Sequence, residues 1–224
     1  MNKAKWPARV ILPVAQPGLI FIVLSFLITG SFFYLGWAVL TWISLALTIF
    51  VCWFFRDPNR QIPQDKNSLV SPADGKVIVV EKHSEGCAYL SGPHMKISIF
   101  MNVFNVHVNR MPFDGTIQKV QYIPGKFINA AFDKASEHNE RNALLVKTKD
   151  DTLYVVVQIA GLIARRIVNC AKEGETIKKG ERYGMIRFGS RLDLYLPYDF
   201  EVAVRTGYKT RAGETVIGYM KNSK

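Results

Sequence analysis

The sequence has no charged residue between Arg9 and Arg56, a stretch of 46 positions. Apart from Lys3, Lys5 and Arg9, every member of its 29 basic and 18 acidic residues lies at or after Arg56. This asymmetry argues against a freely soluble monomer, because so long an apolar run is typical of membrane segments. No comparable run follows Phe55, which argues against a polytopic transporter.

Cysteine is scarce, and the three that occur, Cys52, Cys87 and Cys170, form an odd-numbered set. A disulfide framework is therefore not expected, and a reducing compartment is favoured. Cys87 and His94 are the residues that could suggest zinc, but no C-x-x-C or H-x-x-x-H pair accompanies them. We therefore expect no metal site.

The net charge is +11 and the isoelectric point is about 9.6. In proteins that bind nucleic acid, basic residues cluster and aromatic residues lie among them. Here the basic residues are scattered among acids, and most aromatics lie in the apolar run. The charge therefore favours attraction to an anionic membrane surface or an anionic substrate, and no nucleic-acid partner is expected.

The apolar segment predicts a membrane-associated helical hairpin over residues 1–55. It is too long for a signal peptide, whose apolar region has about 7–15 residues. Residues 18–55 would measure about 57 Å as one helix, whereas the hydrocarbon core is about 30 Å thick. Two helices with a turn near Gly30-Ser31 or Gly36 fit better. Basic residues flank both ends, which predicts that both lie on the cytoplasmic side. The alternative is a helical pair buried in a soluble core.

After a linker over residues 56–67, residues 68–224 predict a β-rich domain. Short segments rich in β-branched and aromatic residues alternate with turn signals. We predict strands at 76–81, 96–101, 115–122, 143–148, 152–159, 162–169, 184–188, 192–197, 201–205 and 214–220. The fold class is mainly β, a compact antiparallel sandwich or barrel that resembles lipoyl-type domains.

Three local features refine this prediction. The polar residues 149–151 indicate a tight turn, so the strands on either side form a hairpin. Segment 124–142 is less β-like and predicts a short helix or an ordered loop. The pattern EGETIKKGERYG at 173–184 resembles a turn of lipoyl and biotinyl carriers. A membrane-anchored carrier or adaptor is therefore an alternative function, although Lys178-Lys179 lacks the flanking residues usual for a carrier lysine.

Three clusters could carry chemistry: SPADG at 71–75, NVHVNR at 105–110 and RFGSR at 187–191. Each has an ordinary structural interpretation. The first is a good β-turn, a single histidine in a β segment is more often structural, and Gly-Ser is uninformative. The sequence has no G-x-S-x-G elbow, which argues against the remaining alternative, a membrane-tethered hydrolase.

Taken together and in order, these clusters resemble the short class of phosphatidylserine decarboxylases. The resemblance covers nearly the whole chain. It is carried by FRDPNR, SPADGKV, IFMNVFNVHVNRMPFDG, PGKF, NER at 139–141, QIAGLIARRIV and RFGSRLDLYLP.

The resemblance implies a self-processing membrane enzyme. The chain would cut itself between Gly189 and Ser190, leaving a β chain (1–189) and an α chain (190–224) that begins with a pyruvoyl group derived from Ser190. That group would form a Schiff base with phosphatidylserine and yield phosphatidylethanolamine, with no diffusible cofactor. The implied partners are an anionic phospholipid and a membrane, and the implied assembly is a homodimer of processed αβ units. The catalytic domain would lie on the cytoplasmic face of the cell membrane.

The chemistry indicates roles for particular residues. Ser190 Oγ would attack the Gly189 carbonyl, which is left open because glycine has no Cβ. His107 would act as the base, and Asp74 could orient it.

One departure from the family pattern concerns histidine. The longer class has H-x-x-H before Met-Pro, and alignment on Met111-Pro112 places His107 at the first position and Arg110 at the second. In the longer class the second histidine is thought to serve self-cleavage and the first decarboxylation. His107 therefore does both here, or another group supplies one role.

Other residues are candidates for supporting roles. His94 is the second choice for a catalytic or binding histidine. His83 and His138 are expected to be turn residues. Arg110 and Arg141 are candidates for binding the substrate phosphate, because guanidinium groups suit that anion.

Overall fold

The computed structural model describes residues 13–126, 138–161, 167–187 and 189–221. The chain divides into two compact units, one covering Arg9–Asn59 and the other beginning at Arg60. The division falls inside the segment 56–67 that the sequence predicts to be a linker.

The first unit is a pair of antiparallel helices. A short 3-10 turn (Gln16–Gly18) leads into helix α1 (Leu19–Tyr34), and helix α2 spans Ala38–Phe54. The break lies at Gly36, whose φ of +71° is left-handed and suits glycine. Of the two predicted turn positions, Gly36 is confirmed and Gly30 is wrong, because Gly30 lies inside α1.

Small polar side chains join the two helices. Thr29 Oγ1 and Thr48 Oγ1 lie 3.0 Å apart, and Thr48 Oγ1 also donates to the Ser25 carbonyl at 3.2 Å. Such residues let apolar helices approach closely while satisfying their hydroxyls. No residue of α1 is buried, which disagrees with the alternative of a pair buried in a soluble core. The helical stretch Gln16–Tyr34 is long and apolar enough to cross a membrane.

The second unit is built from short strands joined by turns. Its strands are β1 (Ser68–Val70), β2 (Gly75–His83), β3 (His94–Met101), β4 (Val108–Arg110), β5 (Gly115–Ile123), β6 (Arg141–Lys147), β7 (Leu153–Ala160), β8 (Ile167–Asn169), β9 (Thr176–Ile177), β10 (Arg182–Ile186), β11 (Ser190–Pro197), β12 (Glu201–Val202), β13 (Lys209–Thr210) and β14 (Val216–Tyr219).

These strands form three antiparallel sheets. The large sheet has eight strands in the order β13-β2-β3-β11-β7-β6-β5-β9. The two small sheets have the orders β4-β10-β8 and β1-β14-β12. The main hydrophobic core draws its residues from all three sheets, and it includes alternate residues of β3 and β11 such as Ile97, Ile99, Leu192 and Leu194. The predicted mainly β, antiparallel fold class is confirmed.

The predicted strands agree with the observed ones where the pattern is long. The hairpin of β6 and β7 is confirmed, with a turn whose Asp151 has a φ of +59°. Four strands of two or three residues, β1, β4, β9 and β13, were not predicted, because so few residues show no alternation. Most of segment 124–142, the first part of 162–169 and the last residue of 184–188 lie outside the described residues.

Candidate active site

Ser190 begins β11 in the middle of the large sheet. It is paired with Met101 on β3 and with Ala160 on β7. Directly opposed residues share a face, and both partners belong to the main core, so the Ser190 side chain faces the core. The residue is fully buried, and Ser190 Oγ has no hydrogen-bond partner among the residues that the structure describes. An unpartnered buried hydroxyl is costly, and it is a candidate nucleophile.

Gly189, whose carbonyl forms the peptide bond with Ser190, has an unusual backbone conformation. Its φ is +66°, in the left-handed region that costs other residues about 1–2 kcal/mol. A Cβ added there would meet no atom within 4 Å. The need for glycine at this position is therefore conformational and does not come from crowding.

His107 lies beside the strand that leads into Gly189. It directly precedes β4, which pairs with β10 through Val108 and Met185. The Ile186 amide donates to the His107 carbonyl at 3.4 Å. Since Ile186 is three residues before Gly189, the fold brings His107 and the Gly189–Ser190 bond into one region. His107 is fully buried.

Asp74 is held by groups other than His107. Its carboxylate accepts hydrogen bonds from Arg60 Nη2 at 2.9 and 3.1 Å and from the Ala212 amide at 2.7 Å. The next residue, Gly75, packs so closely on β3 that an added Cβ would lie 2.3 Å from the Phe100 carbonyl oxygen. Phe100 precedes Met101, the partner of Ser190. The backbone of Asp74 therefore lies near the site, whereas its carboxylate binds Arg60 and the Ala212 amide.

The three tentative substrate-binding residues separate into two places. Arg110 Nη1 donates to the Gly180 carbonyl at 3.0 Å, and the side chain is buried. Arg141 donates from Nε to the Tyr89 hydroxyl at 3.0 Å and from Nη1 to the Asn139 carbonyl at 3.3 Å. Arg141 and His94 line one pocket of about 560 Å³, and Arg110 does not line it.

The three histidines other than His107 lie in different environments. His83 is the last residue of β2, so the expectation of a turn residue is wrong there. Its ring stacks on that of His94 with centroids 5.1 Å apart. His94 Nδ1 lies 3.2 Å from the Gly92 carbonyl oxygen. His138 is exposed, and its carbonyl accepts from the Lys126 amide at 2.7 Å.

A buried chain of amides beside Ser190 was not predicted. Asn142 donates to Gln158 at 3.3 Å, and Gln158 donates to Asn109 Oδ1 at 2.9 Å. Asn109 Nδ2 in turn lies 3.8 Å from the sulfur of Met101, the partner of Ser190. Asn109 is two residues from His107, and that spacing is the signal that could have suggested it.

Asn139 supports the other partner of Ser190. Its Nδ2 donates to the Ala160 carbonyl at 2.7 Å while the side chain is fully buried. Both neighbours of Ser190 are therefore held by buried asparagines. Such satisfied networks make a buried polar site rigid.

The part of the chain that the structure describes contains no group of three or more His, Cys, Asp or Glu residues that could hold a metal ion.

Comparison with known proteins gives one consistent family. The family model described as phosphatidylserine decarboxylase matches residues 47–218. The phosphatidylserine decarboxylase proenzyme of Syntrophus aciditrophicus is 49% identical over 92% of this chain and 96% of its own length. Those of Ralstonia nicotianae and Solidesulfovibrio magneticus are each 52% identical. Their alignments cover 82% and 91% of this chain, and 83% and 94% of their own lengths.

Proposed function

The chain belongs to the phosphatidylserine decarboxylase family, and from this premise we propose that it converts phosphatidylserine to phosphatidylethanolamine. The reaction releases the serine carboxylate as carbon dioxide and adds a proton to the former α-carbon. The proposal rests on sequence identity to relatives named for this activity. About half of the aligned residues are identical, and in one case the alignment covers 92% of the chain.

We propose that the chain is a proenzyme that cuts itself between Gly189 and Ser190. Ser190 Oγ would attack the Gly189 carbonyl carbon, so that an ester forms as the amide bond breaks. Loss of the Ser190 α-proton then expels the Gly189 carboxylate, and hydrolysis of the remaining enamine releases ammonia. The buried, unpartnered Oγ and the left-handed Gly189 support this step.

The two products of this cut would stay associated. The α chain would begin with β11, which is paired on both sides with β3 and β7 of the β chain. β14 also pairs with β1, and β13 with β2. Cleavage would therefore leave the new terminus fixed in the centre of the large sheet.

The pyruvoyl group that we propose at Ser190 supplies a carbonyl that binds the substrate amine and accepts the electrons released with carbon dioxide. The residues around Ser190 fit such a group, because its buried Oγ has no hydrogen-bond partner among the described residues and its neighbour Ala160 has a small side chain. His107 would take a proton during self-cleavage and deliver one to the substrate carbon. Asp74 would act as a positioning residue by fixing the turn that packs against Phe100.

Arg110 is our candidate for the phosphate of the reacting headgroup. It lies three residues after His107 on β4, and its side chain is buried. Its Nη1 donates to the Gly180 carbonyl at 3.0 Å, and a guanidinium is a side chain whose geometry suits a phosphate.

We propose that the helical pair anchors the enzyme in the cell membrane with the β unit on the cytoplasmic side. Within the helical unit, the Ala15 amide donates to the Phe55 carbonyl at 2.7 Å, so the chain enters and leaves at the same end. At that end the guanidinium of Arg56 lies 4.2 Å from the centre of the Trp53 ring, a pairing typical of a membrane interface. We also propose a homodimer of processed αβ units.

The carrier alternative is disfavoured by Lys179. Its ammonium group donates to the Asp65 carbonyl and to the Ser68 carbonyl and hydroxyl, the last at 2.9 Å. A carrier lysine must project freely, whereas this one ties the turn to β1.

The proposal is tested on purified full-length protein in detergent with phosphatidylserine. Wild-type protein should give two masses that correspond to a cut after Gly189, and it should release carbon dioxide. Ser190→Ala should give one mass and no carbon dioxide, whereas the control Ser91→Ala, at an exposed loop position, should behave as wild type. Cleavage after Gly189 in Ser190→Ala would overturn self-processing. If the wild type gives two masses but does not decarboxylate phosphatidylserine, the proposed substrate is wrong.

A further inference from the structure

One end of the large sheet carries the beginning of β11 and the ends of its two neighbours. Ser190 is the first residue of β11, Met101 is the last of β3 and Ala160 is the last of β7. Arg60, at which the β unit begins, binds Asp74, which directly precedes β2. Because β2 is antiparallel to β3, the chain enters the β unit at this same end. We call it the Ser190 end.

Two lysines lie opposite each other at the Ser190 end. Lys76 on β2 pairs with Lys209 on the edge strand β13, and directly opposed residues have Cβ atoms about 5 Å apart on one face of a sheet. Both residues are exposed, and neither ammonium group has a hydrogen bond or an ion pair among the residues that the structure describes. Like charges in this arrangement repel each other, so an anion placed against this lysine pair would stabilise it.

The acids closest in sequence to the lysine pair are already bound to arginines. The carboxylate of Asp74 lies 2.9 Å from Arg60, and that of Glu214 lies 3.4 Å from Arg60 and 3.8 Å from Arg211. An edge lysine can protect a strand from unwanted pairing, but one member of the pair lies on the inner strand β2. Edge protection therefore explains only half of the pair.

The exposed charges differ between the two ends of the large sheet. Three loops at the opposite end, 84–93, 148–152 and 198–200, carry one exposed base, Lys149, and four exposed acids, Glu85, Asp150, Asp151 and Asp199. At the Ser190 end, segments 71–76, 102–107, 124–126, 138–140 and 209–215 contain no exposed acid, and their exposed bases are Lys76, Lys126, Lys209 and Arg211. This polarity would turn the Ser190 end toward an anionic surface.

An exposed apolar side chain lies at the Ser190 end as well. Phe104, in the loop between β3 and β4, is 64% exposed. Its amide donates to Asn102 Oδ1 at 2.9 Å, and the Asn102 amide donates to Asn105 Oδ1 at 2.9 Å, so the loop is fixed in shape. The loop runs from Met101, the partner of Ser190, to His107. An apolar group beside cations is the combination that binds the interfacial region of an anionic membrane.

The lysine pair is close to the reacting residue. Lys76 is opposite Phe100, which in turn is opposite Arg191, the neighbour of Ser190. Two strand spacings separate Lys76 from Arg191, about 10 Å. A headgroup layer that contacts the lysine pair would therefore lie near the start of β11.

We propose that the Ser190 end docks the β unit on an anionic phospholipid bilayer. The lysine pair contacts the headgroups, and Phe104 inserts into the interfacial region. Each lysine near such a surface strengthens binding about fivefold. This inference rests on the proposed function, because a substrate that resides in the bilayer requires the site to face it.

The first test measures the depth of Phe104 in the lipid. Full-length protein without its three native cysteines is labelled at Phe104→Cys with a fluorophore and reconstituted in nanodiscs of phosphatidylcholine and phosphatidylglycerol. Spin-labelled phosphatidylcholine should quench it at least about twofold more than the same fluorophore at Ser91→Cys, because an interfacial apolar group lies about 5–10 Å into the boundary. Ser91 lies in a loop at the opposite end. Equal quenching at the two positions would overturn the proposal.

The second test removes the charges. Lys76→Gln/Lys209→Gln should lower turnover of long-chain phosphatidylserine in these nanodiscs about tenfold. The matched control Lys82→Gln/Lys149→Gln makes the same charge change at exposed positions toward the opposite end and should stay within about twofold of wild type. Dihexanoyl phosphatidylserine below its micelle concentration needs no docking, so all three proteins in detergent should turn it over within about twofold of one another.

The outcomes separate docking from catalysis. Equal losses on the bilayer substrate and the soluble substrate would show that the lysine pair acts on the substrate molecule, which would overturn the proposal. Bilayer turnover equal to that of the control variant, even with poorer solubility, would overturn it too and would leave edge protection as the role of the pair. If the wild type turns over neither substrate, the proposed function is wrong, and the quenching at Phe104→Cys still decides whether this end docks.

Discussion

Arg60 Nη2 lies 2.9 Å from Asp74 Oδ2, and the same carboxylate accepts the Ala212 amide at 2.7 Å. Arg60 and Asp74 precede the proposed cleavage site, whereas Ala212 follows it. Thr210, which also follows it, donates to the Ala73 carbonyl at 3.0 Å. The SPADG turn therefore joins the segments that cleavage would separate, which gives Asp74 a structural task besides any part in the chemistry.

Asp74→Asn should slow self-cleavage and lower stability. The amide keeps an acceptor for Ala212 but loses the nearer of two charges that face Arg60, which then keeps Glu214 at 3.4 Å. The expected cost is about 2–3 kcal/mol. Appearance of the α chain after synthesis and the thermal unfolding midpoint are the measurements. Asp199→Asn, at an exposed position, is the control. Wild-type cleavage and stability in Asp74→Asn would show that the Arg60 contact is dispensable.

Gly189→Ala should slow self-cleavage at least about tenfold. A left-handed φ costs alanine about 1–2 kcal/mol, so the carbonyl would turn away from its reactive orientation. The time course of cleavage in freshly translated protein measures the effect. Gly30→Ala is a matched control, because Gly30 is helical and has open space around it. Equal cleavage rates in the two variants would contradict the role of the left-handed conformation.

His107→Gln should slow processing and reduce turnover of the processed fraction still further. Glutamine preserves much of the volume but cannot exchange a proton as imidazole does. Cleavage is followed by mass, and carbon dioxide release is normalised to the amount of α chain. His138→Gln, at an exposed histidine, should change neither. If His107→Gln matches that control, His107 is structural and another group moves the proton.

Asp193→Ala should destabilise the protein by about 3–5 kcal/mol, because it leaves the fully buried Arg191 without its carboxylate. Arg191→Met/Asp193→Leu should recover at least half of that loss, since neither charge of this buried pair then remains. Unfolding is measured in the Ser190→Ala background, so that processing does not complicate the comparison. A double variant no more stable than Asp193→Ala would indicate that packing rather than charge dominates.

Cysteine labelling should place both ends of the helical pair on the cytoplasmic side. In a background without Cys52, Cys87 and Cys170, a probe at Asn2→Cys or Ser91→Cys should react only from the cytoplasm. A probe at Leu35→Cys, in the turn, should react from the opposite side if the helices span the bilayer. Labelling of Asn2→Cys and Ser91→Cys from opposite faces would contradict the two-helix topology.

The sequence by itself determined the features that depend on neighbouring residues. The absence of charge between Arg9 and Arg56 defined the helical pair, and alternation of apolar residues defined the long strands. It left two positions for the helical turn, because Gly30 and Gly36 carry the same local signal. The family motifs identified Gly189 and Ser190, since the chemistry of a peptide bond and a hydroxyl is local to two residues.

Only the tertiary structure decided which distant residues meet. Asp74 was expected to orient His107, but its carboxylate binds Arg60 from the predicted linker and Ala212 from the other end of the chain. Arg141 and His94 proved to share a pocket on the face opposite Ser190. These outcomes follow from strand register, which pairs Ser190 with Met101 and Ala160. A shift of one residue would turn every side chain to the other face, and no short stretch of sequence specifies that pairing.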